Sequence, residues 1–235
     1  MLGDKARAGP SLGWIKPRSS YVLLVLVTVP VACLGYGSAF ALLHLGRQEV
    51  QHYPFNVTHI MFLGALAFWI VAYILFLRRS PSFTFWQTAD HEVTHVIAAI
   101  LSLRRIHSVS WSDAGRGAVM VDRRTFLIDQ APYVVTIPMV VALILTIMMN
   151  PGPAWWLASI LGAVLGYHLF SVIRAGISDK ADIRRGYYPF HLVWSAVALA
   201  ICSGLVASAA GHGVEGMHTF LVDTWSPILR LIQLL

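Results

Sequence analysis

Acidic residues are scarce in this chain, and charge of either sign is thin. Of 235 residues, 12% are charged and 57% hydrophobic, and only 11 are Asp or Glu, eight of the former and three of the latter. A soluble domain usually carries about a quarter charged residues. This chain has too little polar surface to cover a globule and reads as an integral membrane protein. Cysteine is equally sparse. Cys33 and Cys202 both fall inside apolar runs, which excludes a disulfide framework and a thiolate zinc site and leaves two small buried apolar residues. Tandem repeats are absent, and so is any stretch that reads as a soluble domain. Residues 1–235 are therefore expected to form a single integral membrane domain.

What is present in excess is positive charge. The formal net charge is +6 and the isoelectric point about 9.6. The basic residues sit between apolar runs and are not interleaved with aromatics, so no nucleic-acid surface is indicated. They fit instead as topology signals and as contacts to anionic headgroups of the lipid bilayer. The N-terminal Lys5, Arg7, Lys16 and Arg18 precede a run, Tyr21–Leu45, that is too long for a signal-peptide core, so it is expected to stay as a first helix.

Four further apolar segments are long enough to span: Thr58–Leu77, Phe126–Met149, Ala154–Ile173 and Phe190–Ala210. A shorter one, Thr88–Leu103, starts polar. A last one, Met217–Leu235, is amphipathic at best, is interrupted by Pro227 and can lie on the surface. Between them, residues 106–120 alternate, turn through Ser112, Gly115 and Gly117, and alternate again, which predicts a short β-hairpin whose edges could pair with an extended peptide. The expected fold class is an all-α polytopic membrane protein with about six transmembrane or re-entrant helices and a short β-hairpin after the 88–103 helix. Gly162 and Gly166 form a GxxxG that can admit a close neighbour. Pro132 and Pro138 are expected to kink the segment that holds them. Trp111, Trp155, Trp156 and Trp225 read as interfacial anchors.

Basic residues crowd the N-terminus, Arg78–Arg79, the stretch from Arg104 to Arg124, and that from Arg174 to Arg185. If all four regions face the cytoplasm, the 88–103 segment enters and leaves on one side. A full crossing would place one basic set outside. In either case Arg104 and Arg174 bring the ends of two segments to one basic face.

The chemistry-bearing pattern lies in the polar start of the 88–103 segment. His91, Glu92 and His95 spell HExxH. Composition alone gives roughly 0.005 such motifs in a chain of this make-up. On a helix, residues i and i+4 share a face one turn apart, so two imidazoles can hold one metal. Zinc lowers the pKa of a bound water, and Glu92 is placed to take its proton as the general base. An ionisable cluster within an apolar segment points to function, since its burial is costly. A hydrolytic zinc needs a third protein ligand, and Leu101 stands where an extended HExxHxxGxxH motif has its third His. Three candidates remain: Asp182, Asp179 and His168. His168 could also donate to a developing oxyanion, or be a simple helix contact. Asp90 reads as a helix-start cap and not as a ligand.

HEVTH at a helix start, a hairpin-like stretch with Gly115 and Gly117, an Ala131-Pro132-Tyr133 helix and an Asp after a later apolar helix resemble the intramembrane zinc metalloproteases of the site-2 protease class, the M50 family. Tyr167, His168 and Leu169, with Asp182-Ile183 before Pro189-Phe190, look like its small bacterial branch. Ala181 stands where that branch has Thr, and the NxxPxxxLDG signature is absent. The resemblance covers roughly residues 85–195, the implied catalytic core. It implies one zinc per chain held by His91, His95 and Asp182, with Glu92 as base. It implies a zinc-dependent endopeptidase that cuts a membrane-embedded or membrane-proximal protein substrate, with the hairpin holding an unwound substrate strand and the polar face of 88–95 lining a water-accessible cavity. The implied location is the bacterial inner membrane, with the site near the cytoplasmic side. A homo-oligomer or a regulatory partner is compatible with this reading. The alternative is a non-proteolytic regulatory or assembly protein that retains the metal site. A diiron oxidase needs many more carboxylates and His clusters than three Glu allow.

Overall fold

A computed structural model describes residue 37 and residues 57–112, 115–149, 154–178 and 188–233. The expected first helix at Tyr21–Leu45, apart from Gly37, lies outside the described residues, as do Asp179 and Asp182. The described chain is six α-helices, one 3-10 turn at Leu77–Arg79 and one hairpin: α1 Val57–Leu75, α2 Pro81–Leu101, β1 Ile106–Trp111, β2 Gly117–Val121, α3 Phe126–Val134, α4 Ile137–Met149, α5 Trp155–Ser178 and α6 Tyr188–Gln233. Three stretches are long and apolar enough to cross a membrane: Val57–Arg79, Trp155–Ala175 and Val193–Pro227. The pair α3 and α4 makes a fourth if counted as one span. These apolar helices mark a membrane protein, with three or four candidate spans among the described residues where about six segments were expected.

The segment at 88–103 begins earlier than its polarity suggests. Ser80 caps the helix by accepting the Phe83 N–H at 3.3 Å, and Pro81 occupies the first turn, where its missing N–H costs nothing. HExxH therefore sits in the middle of a 21-residue helix. The helix stops at Leu103, whose φ of 53° is left-handed. Arg104 N–H then bonds back to Ala99 at 2.9 Å, a Schellman-type ending that turns the chain into β1.

The hairpin forms as its alternation predicts. β1 and β2 are antiparallel, with Val109 opposite Val119, and a bulge lies between Ile106 and Ser108. Ile106 and Val121 at its base pack on Ala98 and Ala99 of α2 and on Ile128 and Ala131 of α3.

The expected single span Phe126–Met149 is two helices bent by 72°. Two prolines account for the break. Pro132 and Pro138 have no N–H, so the carbonyls four residues back, Ile128 and Val134, lose their helical donors. α3 ends one residue before the gap, and Pro138 is the second residue of α4.

α5 packs on α1 through its small residues. A side chain at Gly162 would strike the backbone carbonyl of Phe62, and one at Gly166 would strike Trp69. The GxxxG is thus a helix–helix seam, filled out by stacked Tyr73 and Phe170 with centroids 4.0 Å apart. α6 is not one rod. Gly213 sits at φ 62°, ψ −139°. Gly204 lies against Phe220 and Gly216 against Ser208. In a straight helix residues 204 and 220 would be about 24 Å apart, so the chain folds back at Gly213. Residues after 217 belong to this second arm, and Met217 and Phe220 are buried. The segment expected to be amphipathic packs one face on the first arm, where Gly204 and Gly216 leave room, and leaves His218, Leu221, Val222 and Trp225 exposed.

Gly162→Leu is expected to destabilise the protein by about 1–3 kcal/mol through overpacking against backbone, read as a lowered midpoint of thermal unfolding in detergent. An unchanged midpoint would show that α1 and α5 do not meet there.

Candidate metal centre

His91 and His95 lie one turn apart on α2, with ring centroids 4.8 Å apart and planes at 81°. Their Nε2 atoms are both buried. Glu92 is 5% exposed and His95 1%, and only His91 of the three is partly accessible. The turn was expected to line a water-accessible cavity. Within the turn, Glu92 lies under β2 and His95 against α3, while His91 is partly accessible.

α3 holds both imidazoles. His95 Nδ1 and the Ile128 carbonyl oxygen are 2.6 Å apart. A carbonyl can only accept, so Nδ1 donates, and in a neutral ring this leaves the lone pair on Nε2. Outer hydrogen bonds of this kind orient metal-ligating imidazoles and raise their basicity. The acceptor is the same carbonyl that Pro132 leaves without its helical donor. Tyr133, 1% exposed, sets its ring edge-on to His91, with centroids 5.6 Å apart, and packs on Ala175 of α5.

Glu92 lies beneath β2. A Cβ added at Gly117 would overlap the Glu92 side chain, Oε1 included. Glycine at this position lets the strand backbone run directly over the carboxylate. The hairpin turn is also tied down. Gly115, at φ 71°, approaches Thr84 of α2 and Arg174 of α5. Arg174 donates to Gln87 at 2.6 Å and to Thr84 at 3.4 Å, and Gln87 donates to Ser171 at 3.2 Å.

Asp90 does not cap the start of its own helix, which is correctly placed at Ser80. It caps another one. Its Oδ1 accepts the Ile137 N–H at 2.9 Å, at the first residue of α4, and its Oδ2 accepts the Tyr167 hydroxyl at 3.1 Å. His168 is fully buried, and its Nδ1 lies 3.4 Å from Thr136 Oγ1 at the α3–α4 break. No group of three or more His, Cys, Asp or Glu able to hold a metal forms among the described residues. His91 and His95 are brought together on α2, Glu92 lies against Gly117, and His168 is engaged at the break.

The residues present fit a metal in one specific respect: two adjacent imidazoles have buried Nε2 atoms, one with its tautomer set from behind. The sequence singled out His91, Glu92 and His95 but missed Tyr133, Ile128 and Gly117 as supports. The signal available for Ile128 was Pro132 four residues on; for Gly117 it was a glycine opening a strand. Comparison with protein-family models, with curated proteins and with solved structures returns no match.

Pro132→Ala gives the Ile128 carbonyl a competing helical donor. Zinc affinity is expected to fall about 10–100-fold, the usual effect of disturbing an outer hydrogen bond to a ligating imidazole. Titration with a competing chelator measures it, and wild-type affinity would show that the Ile128 contact does not orient His95.

Proposed function

We propose that the protein is a zinc-dependent intramembrane endopeptidase that hydrolyses a peptide bond of a membrane-associated protein substrate. The observation that carries this reading is the buried HExxH turn, with the His95 tautomer set by Ile128 and Glu92 held beneath a β-strand. His91 and His95 would hold zinc, with a carboxylate as third ligand. Asp182 is our choice and Asp179 the alternative. Both follow α5, whose Ala175 packs on the Tyr133 ring that faces His91. His168 is the less favoured third ligand, because its Nδ1 faces Thr136 and its helix position is occupied with the break.

Zinc bound there would supply Lewis acidity to a peptide carbonyl and to a water. Glu92 takes a proton from the attacking water on a carboxylate oxygen and returns it to the departing amine nitrogen. Burial of Glu92 and His95 keeps bulk water away and strengthens charge interactions at the reacting atoms. Tyr133 and Ile128 keep the imidazoles in place through the cycle. Among the described residues the hairpin has two strands, and an unwound substrate would add to it as a further strand near Glu92. Such pairing would satisfy the peptide groups that a helix loses on unwinding in an apolar medium. Arg78, Arg79, Arg104 and Arg105 flank both ends of α2, which favours a re-entrant α2 with its site near the cytoplasmic side of a bacterial inner membrane.

Glu92→Gln is expected to retain one zinc per chain and to lose cleavage by at least about 10²-fold, the contribution of a general base. Elemental analysis and a cleavage assay on a membrane-embedded reporter check both halves. Wild-type cleavage by the zinc-loaded variant would remove Glu92 from the role. A wild-type protein that is zinc-loaded and inert on peptide substrates would favour a regulatory protein with a retained metal site.

A further inference from the structure

The backbone of α3 and α4 must place groups that an unbroken helix would have used, among them three that meet side chains. Pro132 frees the Ile128 carbonyl, Pro138 frees the Val134 carbonyl, and the gap at 135–136 frees the Ile137 N–H. Each finds a side chain from another helix. His95 of α2 takes the Ile128 carbonyl at 2.6 Å, Cys202 of α6 donates to the Val134 carbonyl at 3.5 Å, and Asp90 of α2 accepts from Ile137 at 2.9 Å. Two of the three belong to α2, five residues apart and on either side of His91.

We propose that Asp90 is a positioning residue for the metal turn: with His95 it clamps α2 onto the bent pair at two points, so that the bend and the His91–His95 geometry are set together. The clamp rests on the reading of these histidines as zinc ligands, but its hydrogen bonds do not. The loop of contacts is closed. α2 reaches α4 through Asp90; α4 continues back into α3 across the bend; α3 returns to α2 through Ile128 on His95 and Tyr133 on His91. Removing the Asp90 contact frees the start of α4 from α2, while α3 stays joined to α2 through Ile128 and Tyr133. Tyr167 holds the other carboxylate oxygen at 3.1 Å and fixes the Asp90 rotamer from α5. An acidic side chain at this point also suits the positive end of the α4 dipole.

The test is amide hydrogen exchange over residues 137–141, with and without zinc, in the wild type, Asp90→Ala, Asp90→Asn and Tyr167→Phe. Metal-free Asp90→Ala is expected to exchange about tenfold faster at Ile137 than the wild type, as for loss of a charge-assisted hydrogen bond. Zinc should slow this exchange in the wild type, by reciprocal linkage between coupled sites, and should not slow it in Asp90→Ala although one zinc still binds. Asp90→Asn retains an accepting oxygen and should restore the zinc effect. In cleavage, Asp90→Ala should lower kcat and leave KM near its wild-type value, since the clamp orients the metal turn and touches no substrate. Equal exchange at Ile137 in wild type and Asp90→Ala, or an equal zinc effect in both, overturns the proposal. If Asp90→Ala does not fold, Tyr167→Phe decides: exchange about threefold faster is expected, and unchanged exchange overturns it. A wild type that binds no zinc removes the metal reading, while the comparison of metal-free proteins still decides the clamp.

Discussion

Pro132 has no N–H to give to the carbonyl of Ile128, and in a low-dielectric surrounding that carbonyl must find another donor. It finds His95 Nδ1 at 2.6 Å. From this single contact several features follow. The imidazole tautomer is fixed, its Nε2 is turned to the face it shares with His91, and α3 is drawn across α2 so that Tyr133 comes to rest against the His91 ring. The same packing sets the hairpin base on Ile128 and Ala131, and so puts Gly117 over Glu92. A defect in one helix is the means by which another is oriented.

The rest of the described chain supports that crossing. α5 is held close to α1 by Gly162 and Gly166, which brings its polar residues to α2 in register: Tyr167 to Asp90, Ser171 and Arg174 to Gln87. Dispersion and close approach are the forces available between helices in lipid, where burial of apolar surface gives no advantage over the hydrocarbon itself. The glycine seam supplies the close approach, and the hydrogen bonds then select one register along it. Cys202, on the first arm of α6, reaches the bend at the Val134 carbonyl.

Much of this could be read from the sequence where the signal is local. HExxH, the alternation of the hairpin, and the kinking of the 126–149 segment all depend on residues within a few positions of one another. The start of α2 was misplaced because Ser80 and Pro81 carry the capping signal, while residues 81–87 lack the apolar texture that marks a span. Asp90 was misassigned for a related reason. An acidic residue beside a helix motif fits a cap, but which helix it caps depends on Ile137, 47 residues away. Pro132 and Pro138 announced a bend, yet only the fold shows that the two freed carbonyls meet His95 and Cys202. A break between the Phe190–Ala210 and Met217–Leu235 segments was legible in the glycines at 211, 213 and 216, but the packing of the second arm on the first depends on Gly204 and Phe220, 16 positions apart.

These distinctions bear on how the scarcity of acids should be understood. Asp90 and Glu92 are two of only 11 acidic residues, and they stand two positions apart on one buried helix. Successive helical positions diverge by about 100°, so residues two apart face nearly opposite sides. Asp90 accordingly looks to α4 and α5, where both its oxygens accept hydrogen bonds, and Glu92 looks to β2, where a glycine makes room for it. Burial of a carboxylate is tolerated when its oxygens are satisfied and is costly otherwise. Asp90 is consumed by structure. Glu92, one position from His91, is covered by the backbone of β2 at Gly117, so the two acids tie α2 to different neighbours.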